Sequence, residues 1–301
     1  MANPELVGRV MKPTASIRPE SPSRRALRRF LRHRLALIGL IIIIAIIALA
    51  LLGDADVANK QNLKLGFINR PPGDGFLFGT DALGRDVLAR TLVGGRISLL
   101  VAFVSVAIAT LIGTAVGVVA GYLGGIVDVV LMRFVDIVLS FPVILILLVV
   151  AAIVGPGIVT LVVMIGAVTW SRGARIVRGQ VLTLRESTFI EAARVIGVGD
   201  LQMIRAHILP NIIAPLVVFA TFGVASVVIF EASLSYLGLG VQPPTPSWGN
   251  MLNGARSLTV LERYTWQWIP PATLIVLMVM AVNFVGDGLR DAFDQRATSD
   301  R

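Results

Sequence analysis

Few side chains in this chain of 301 residues have the type and spacing that chemistry needs, and most familiar chemistries fail on them. Cysteine is absent, which removes disulfides, thiolate metal sites and thiol nucleophiles together. A phosphate-binding P-loop sets a lysine between glycine and Ser or Thr. The lysines are Lys12, Lys60 and Lys64, followed by Pro13, Gln61 and Leu65, so no Walker-type ATP site is expected. The histidines, His33 and His207, lie far apart without carboxylates at zinc spacing, and no metal site is expected either. No paired acid and base suggests an enzyme. What remains are ionisable groups in apolar surroundings. Glu231 is the clearest, and it either lines a path for substrate or makes a structural hydrogen bond to a neighbouring helix. Asp128, Arg133 and Asp136 open another apolar stretch. There Arg133 reaches Asp136 at i+3, which predicts a structural ion pair rather than a proton relay. Arg85 and Asp86 follow Gly84, and a local ion pair fixing the start of the next helix is expected, with partner docking as the alternative.

These groups sit among elements that only a membrane can accommodate. Hydrophobic residues form 55% of the chain and charged residues 15%, against about 25% charged in soluble proteins. Mean hydropathy is +0.83. A soluble fold cannot hide that much apolar surface, so the expectation is an all-α polytopic membrane protein. About 20 apolar residues cross a bilayer core as a helix. Candidate spans run about 35–52, 97–120, 129–154, 158–175, 212–236 and 270–286. The third and fourth come from 35 uncharged residues between Asp136 and Arg172, about 52 Å as one helix and too long for one crossing. Gly155-Pro156-Gly157 divides them, and Pro142 is a further place where the third span can break. Tyr264, Trp266 and Trp268 before the sixth span read as an interfacial aromatic belt.

Six spans put both termini on one side. Nineteen of the 27 basic residues fall in the N-terminus, the 121–133 turn, the 171–211 loop and the C-terminus. The positive-inside rule then makes the 1–34 segment, the 176–211 loop and the 291–301 tail cytoplasmic, and the 53–96 and 237–269 loops extracytoplasmic. Arg24, Arg25, Arg28, Arg29, Arg32 and Arg34 interleave with Leu27, Phe30, Leu31 and Leu35. Such a stretch reads as an anchor for anionic membrane lipids rather than a nucleic-acid site.

The 176–211 loop has the most specific pattern. Thr188 followed by Glu191 has capping-box spacing, predicting a helix from about Phe189. Phe189, Ala192, Ala193 and Ile196 then share one apolar face, and Gly197 marks the stop. Two small alanines in that face would let a partner backbone approach closely; the alternative is packing against the chain's own helices. Asp200 is expected to cap a second short helix carrying Leu201, Ile204 and Ile208, with Pro210 ending it.

Glu191-Ala192-Ala193, Gly197 and the later Ile208-Leu209-Pro210-Asn211 resemble the EAA loop of permease subunits of binding-protein-dependent ABC importers. His207 before Ile-Leu-Pro-Asn is similar to the dipeptide/oligopeptide branch, and further motifs resemble its C-type subunit. They are Phe78-Gly79-Thr80-Asp81-Ala82-Leu83-Gly84-Arg85-Asp86, Gly95-Arg96-Ile97-Ser98-Leu99, Glu231 to Gly240, Pro246-Ser247-Trp248-Gly249 and Gly286-Asp287-Gly288-Leu289-Arg290-Asp291. Gln295 departs from the pattern, where proline is usual. The resemblance implies a type I ABC importer permease fold in a bacterial cytoplasmic (inner) membrane. It implies a homologous B-type permease partner and two P-loop ATPase subunits, or one fused ATPase, which bind ATP and Mg while this chain binds no cofactor. It also implies an extracytoplasmic solute-binding protein that reaches the outer loops. The coupling residues would be Thr188, Phe189, Glu191, Ala192, Ala193, Ile196, Gly197, Leu209 and Pro210. The competing class is a stand-alone ion-coupled secondary transporter, which would place ionisable groups mid-membrane and leaves the EAA loop without a purpose.

The orientation is testable in this cysteine-free chain. Ser187→Cys should resist an impermeant thiol reagent in intact cells while Thr245→Cys reacts, and the reverse pattern would invert the topology.

Overall fold

The computed structural model describes residues 22–64, 66–73 and 75–293. The basic segment before residue 22 and the tail from 294, Gln295 included, lie outside the described residues. The helices are α1 (Pro22–Phe30), α2 (Arg34–Leu52), α3 (Ala55–Asn59), α4 (Val87–Leu123), α5 (Gly125–Ser140), α6 (Val143–Val154) and α7 (Ile158–Arg185). After these come α8 (Thr188–Val195), α9 (Asp200–Met203), α10 (Leu209–Tyr236), α11 (Trp248–Asn253), α12 (Leu258–Arg263) and α13 (Ile269–Phe293). Five stretches are long and apolar enough to cross a membrane: α2, α4, α7, the run from α9 through α10, and α13. Taken together as one broken span, the apolar α5–α6 pair brings the candidate crossings to six.

The third candidate span, 129–154, is bent at Pro142, the place where the sequence allows it to break. α5 and α6 meet at 85° across Phe141-Pro142. Proline denies the helix an N–H and forces the residue before it out of the α region, and Phe141 is extended at φ −100, ψ 141. α4 and α7 are also longer than apolar runs alone suggest, because each continues through a stretch with charged residues, Arg90 and Arg96 near the start of α4 and Arg175, Arg178 and Arg185 toward the end of α7.

The bundle is organised by the approach of α4 to α7. Gly113, Gly117 and Gly121 recur every four residues and so form one stripe along α4. A β-carbon on Gly113 would stand 2.8 Å from the Trp170 carbonyl oxygen. On Gly117 it would stand 2.6 Å from that of Ala174, and on Gly121 2.9 Å from Val181 Cβ. Lipid offers helices no hydrophobic reason to associate, so small residues that allow close van der Waals packing supply the attraction. The α2–α13 contact uses the same device. A β-carbon on Gly39 would lie 2.5 Å from the Ala281 carbonyl oxygen, and one on Gly288 2.3 Å from Ala36 Cβ. Around these seams Ile46, Val101, Leu147, Leu161, Ile165, Val228 and Met278 form the main core. Ile41, Leu111, Ile126, Ile153 and Val159 stay exposed on the outside, as a lipid-facing or subunit-facing surface requires.

Helix ends are closed by named side chains. The His33 ring accepts the Ala36 amide at 3.1 Å and caps α2, and its other nitrogen lies 3.6 Å from Asp291 near the end of α13. At the far end Arg96 donates to the carbonyls of Ala50 (2.7 Å), Leu51 (2.6 Å) and Gly53, groups that have no intrahelical partner. Asp86 caps α4 by accepting the Leu88 and Ala89 amides at 2.8 and 3.2 Å.

Replacing Gly117 with leucine should separate α4 from α7. Overpacking typically costs about 1–3 kcal/mol, so the purified protein should melt at a lower temperature in detergent. Ala115→Leu, at an exposed position on the opposite side of α4 from this stripe, gives the reference; equal melting of the two variants would show that the seam is not under close-packing constraint.

Candidate functional site

The 176–211 loop candidates form a compact hairpin between α7 and α10. α8 runs from Thr188, with Ser187 as its N-cap. The expected capping box is absent: the Ser187 hydroxyl donates backwards to the Leu184 carbonyl and accepts no amide of α8. Thr188 and Glu191 are exposed residues of the first turn, where Glu191 opposes the positive end of the helix dipole. Gly197 does end the helix, at φ +83. The Val198 amide bonds the Ala193 carbonyl at 3.1 Å and the Gly197 amide bonds that of Arg194 at 3.1 Å, the paired closure of a Schellman motif.

The predicted apolar face is divided. Ala193 is only 6% exposed and packs with Ile190 against Val118, Tyr122, Val177, Val181, Met203 and Ile208 of the same chain. Phe189 (44%), Val195 (87%) and Ile196 (80%) stay exposed, with Ala192 on the same outer side. Of the predicted face, Phe189, Ala192 and Ile196 thus stay on the outer side and Ala193 alone turns inward. Ile190 and Ala193, one turn apart, turn inward, and the outward edge is Phe189, Ala192, Val195 and Ile196.

Asp200 and Pro210 also differ from expectation. Gly199 takes the N-cap position of α9, which frees the Asp200 carboxylate to accept the Tyr122 hydroxyl at 2.6 Å. Pro210 does not end the helix. Ile204–Ile208 form a π-helical turn leading directly into α10, with the Leu209 amide bonded to the Ile204 carbonyl. A wider turn makes room for a ring that would clash in a regular helix, and Asn211 Nδ2 donates to the His207 carbonyl at 2.6 Å. Leu209 lies against the inner cluster, while Pro210 is exposed.

Beneath this hairpin the helix ends are cross-braced. Arg178 holds Asp128 through two hydrogen bonds, at 2.5 and 2.6 Å, and Arg175 holds Asp136 at 2.5 Å, tying α7 to α5. The expected Arg133–Asp136 pair is thus replaced by one between helices, because the α7 arginine approaches that carboxylate directly. Arg185 donates to the Tyr122 carbonyl at 3.2 Å, where α4 ends. A planar guanidinium that engages a carboxylate at two points fixes orientation as well as distance.

At the opposite end the remaining candidates are structural. Arg85 pairs with Asp81 at 2.7 Å rather than with Asp86, whose carboxylate is engaged in capping α4. Asp81 also stands 3.6 Å from buried Arg90. Thr80 joins both outer loops: its carbonyl accepts the Trp266 indole and Gln267 amide, each at 3.1 Å, and its hydroxyl accepts the Arg70 amide at 2.9 Å. Trp266 is thus a loop clamp, not only a membrane-interface anchor. Gly79, at φ +67, leaves 2.3 Å between a notional β-carbon and the Arg70 carbonyl, so only glycine fits there.

Glu231 is fully buried at 0% exposure, inside the subunit. It accepts the hydroxyls of Ser98 at 2.9 Å and Ser235 at 2.8 Å. Those oxygens in turn accept the amides of Trp248 and Val241, each at 3.1 Å. The carboxylate pins α4, α10 and the Pro246–Gly249 turn together, with Trp248 itself buried and donating to the Thr91 carbonyl at 3.0 Å.

Between the two ends lies a space that pattern reading did not anticipate, a vestibule of about 800 Å³ bounded by α4, α6, α7, α10 and α13. Its wall is largely apolar, with Phe219, Phe222 and Phe230 from α10 and Ile176 from α7. Thr169, Arg172, Gln180, Ser226 and Arg290 are polar exceptions. The rings are seated on glycines: β-carbons on Gly173 and Gly286 would lie 2.9 Å from Phe219 and Phe222.

A bent α5–α6 crossing, a helical hairpin held on braced helix ends and an open-sided vestibule suit one half of a transport path. The family described as "Binding-protein-dependent transport system inner membrane component" matches residues 113–299, which takes in α7, the hairpin, α10 and α13. The chain belongs to that family. A second match, over residues 21–72, is the N-terminal transmembrane domain of oligopeptide transport permease C. A Brucella suis protein named as a peptide permease is 46% identical over 277 residues, 92% of either chain. A glutathione transport system permease protein of Escherichia coli is 41% identical over 271 residues, 89% of either chain. Among solved structures, an inward-facing form of the MetNI methionine ABC transporter aligns with a TM-score of 0.56 at 22% identity. It covers 67% of this chain and 95% of that one, and supports the fold. The protein is thus an ABC transporter permease, a multi-pass protein of a bacterial inner membrane.

The Glu231 network predicts how this permease responds to substitution. Glu231→Ala leaves two buried serine hydroxyls without their acceptor, at about 1–3 kcal/mol for each unsatisfied group. Thermal unfolding in detergent should therefore fall markedly for Glu231→Ala and only slightly for the isosteric Glu231→Gln, which should also keep transport. Loss of transport in a fully stable Glu231→Gln protein would instead put this carboxylate on the path.

Proposed function

We propose that this permease pairs with a homologous B-type permease to form the path of an ATP-driven importer for peptides, in the dipeptide, oligopeptide or glutathione size range. The most similar relatives reported above, named for peptide and glutathione transport, support that substrate class. In this reading the subunit is non-catalytic. Two ATPase subunits, or one fused ATPase, bind ATP and Mg below it, and a solute-binding protein delivers substrate to the 53–96 and 237–269 loops. Both termini and the α7–α10 hairpin face the cytoplasm.

The observation that carries the reading is the outward edge of α8. Phe189, Val195 and Ile196 are large apolar groups left exposed on a polar hairpin, beyond the hydrocarbon zone, where neither lipid nor the chain's own core covers them. An apolar ridge on a short helix suits insertion into a cleft of a partner. The bracing behind it suits force transfer, because movement of α8 is passed through Tyr122–Asp200 and Arg185 to α4, and through Arg175 and Arg178 to α5. ATP-driven closure of the partners would then swing the vestibule between inward-open and outward-open states. A stand-alone ion-coupled transporter draws no support from Glu231, whose partners are serines of its own subunit.

Two substitutions separate the outer and inner sides of α8. Val195→Asp places a charge on the ridge and should release the ATPase subunits on purification, while the melting temperature of the permease stays unchanged. Ala193→Trp overfills the inner cluster, at about 1–3 kcal/mol or more, and should lower the melting temperature as well. Full ATPase association and peptide uptake with Val195→Asp would remove the ridge as the docking surface.

A further inference from the structure

Arg172 and Arg290 are the charged residues that line the vestibule. Neither has an ion-pair or hydrogen-bond partner among the described residues, whereas the next arginines along α7 are both engaged, Arg175 by Asp136 and Arg178 by Asp128. Arg172 is separated from them by the helix surface it occupies. Thr169, Ile176 and Gln180 stand at i−3, i+4 and i+8 from it, and all of them line the same space. Among the described residues, no carboxylate lines that space. A guanidinium within an apolar helix bundle is expensive beside hydrocarbon and is retained where it faces a water-filled cavity. Low-dielectric walls then focus its field on the cavity and concentrate anions there. Its planar fork matches a carboxylate with two parallel hydrogen bonds.

We propose that the section of the vestibule lined by Arg172 and Arg290 is a carboxylate-binding part of the translocation path, with these two arginines receiving a free carboxylate of the substrate. Phe219 and Phe222, seated on Gly173 and Gly286, form the adjoining apolar wall against which side chains of the substrate pass. The inference rests on the importer reading above and narrows it: the carried molecules bear at least one free carboxylate at the pH of transport, and a terminal amide is a poorer passenger.

The test uses the complete transporter, with its partner subunits, in liposomes. A single cysteine at Ser226, which lines the vestibule, is treated with a sulfonate-bearing and with a trimethylammonium-bearing thiosulfonate, each rate being scaled to that of a small thiol in solution. The anionic reagent should gain by about threefold or more at low salt. That gain should disappear in the Arg172→Gln/Arg290→Gln variant and shrink as salt is raised. Equal scaled rates, or a preference that survives the double substitution, would overturn the proposal. In a second arm, binding protein saturated with a peptide or with its C-terminal amide supplies the same liposomes. The double variant should reduce uptake of the free acid about tenfold and leave the amide rate near its original value; equal losses on both would also overturn it. If neither peptide enters through the unsubstituted transporter, the peptide reading fails, and the thiol rates still decide whether the arginines form an anion site.

Discussion

Everything in this permease hangs on how closely α4 and α7 approach, since the glycine stripe of α4 lets backbone touch backbone along several turns. Two helices in lipid gain nothing from hiding apolar surface, so contact must come from fit. Gly113, Gly117 and Gly121 face Trp170, Ala174 and Val181, and the match continues to the end that carries α8, where side chains take over from the backbone. There Arg185 reaches the last carbonyls of α4 and Tyr122 reaches Asp200. The hairpin that bears α8 is therefore located by the seam rather than by its own short helices, which are too brief to be stable alone.

The two ends of the bundle solve the problem of buried polar groups differently. The end away from the hairpin combines neutral donors with charged side chains: Thr80 with Trp266 and Gln267, Glu231 with Ser98 and Ser235, and Asp81 with Arg85 and Arg90. Each of these groups has a partner, which in a low-dielectric interior is what makes such a network stabilising rather than costly. The end that carries the α8 hairpin relies on Arg–Asp pairs that are partly exposed and so contribute modest stability but good directional control. A rigid outer cap and a laterally braced inner end leave the middle, with the bend at Pro142 and the rings of α10, as the zone where packing is loosest and an open space can exist.

That space has a polarity of its own. Its apolar wall offers little to a charged backbone, while Arg172 and Arg290 lie on the α7 and α13 sides. The contrast between engaged and unengaged arginines on one helix separates bracing from a role toward whatever passes through the vestibule.

Much of this was legible in the residues themselves. Composition required a membrane, runs of apolar residues located the crossings, and the EAA-like loop with its flanking motifs pointed to the family, because all of these are local properties of consecutive residues. The stop at Gly197 was legible for the same reason: a left-handed position next to a helix end demands glycine. Partner choice was not legible. Arg133 and Asp136 stand at helical spacing, yet Arg175 from another helix takes the carboxylate; Asp86 follows Arg85, yet Asp81 takes the guanidinium. The capping serine, the π turn that absorbs Pro210 and the inward turn of Ala193 likewise depended on surroundings that no local window contains. Periodicity says which residues share a helix side, but which side meets a neighbour is decided by the rotation of the whole helix in the bundle. That rotation follows from close packing along α4 and α7, which links residues about 60 positions apart, and so it belongs to the tertiary structure alone.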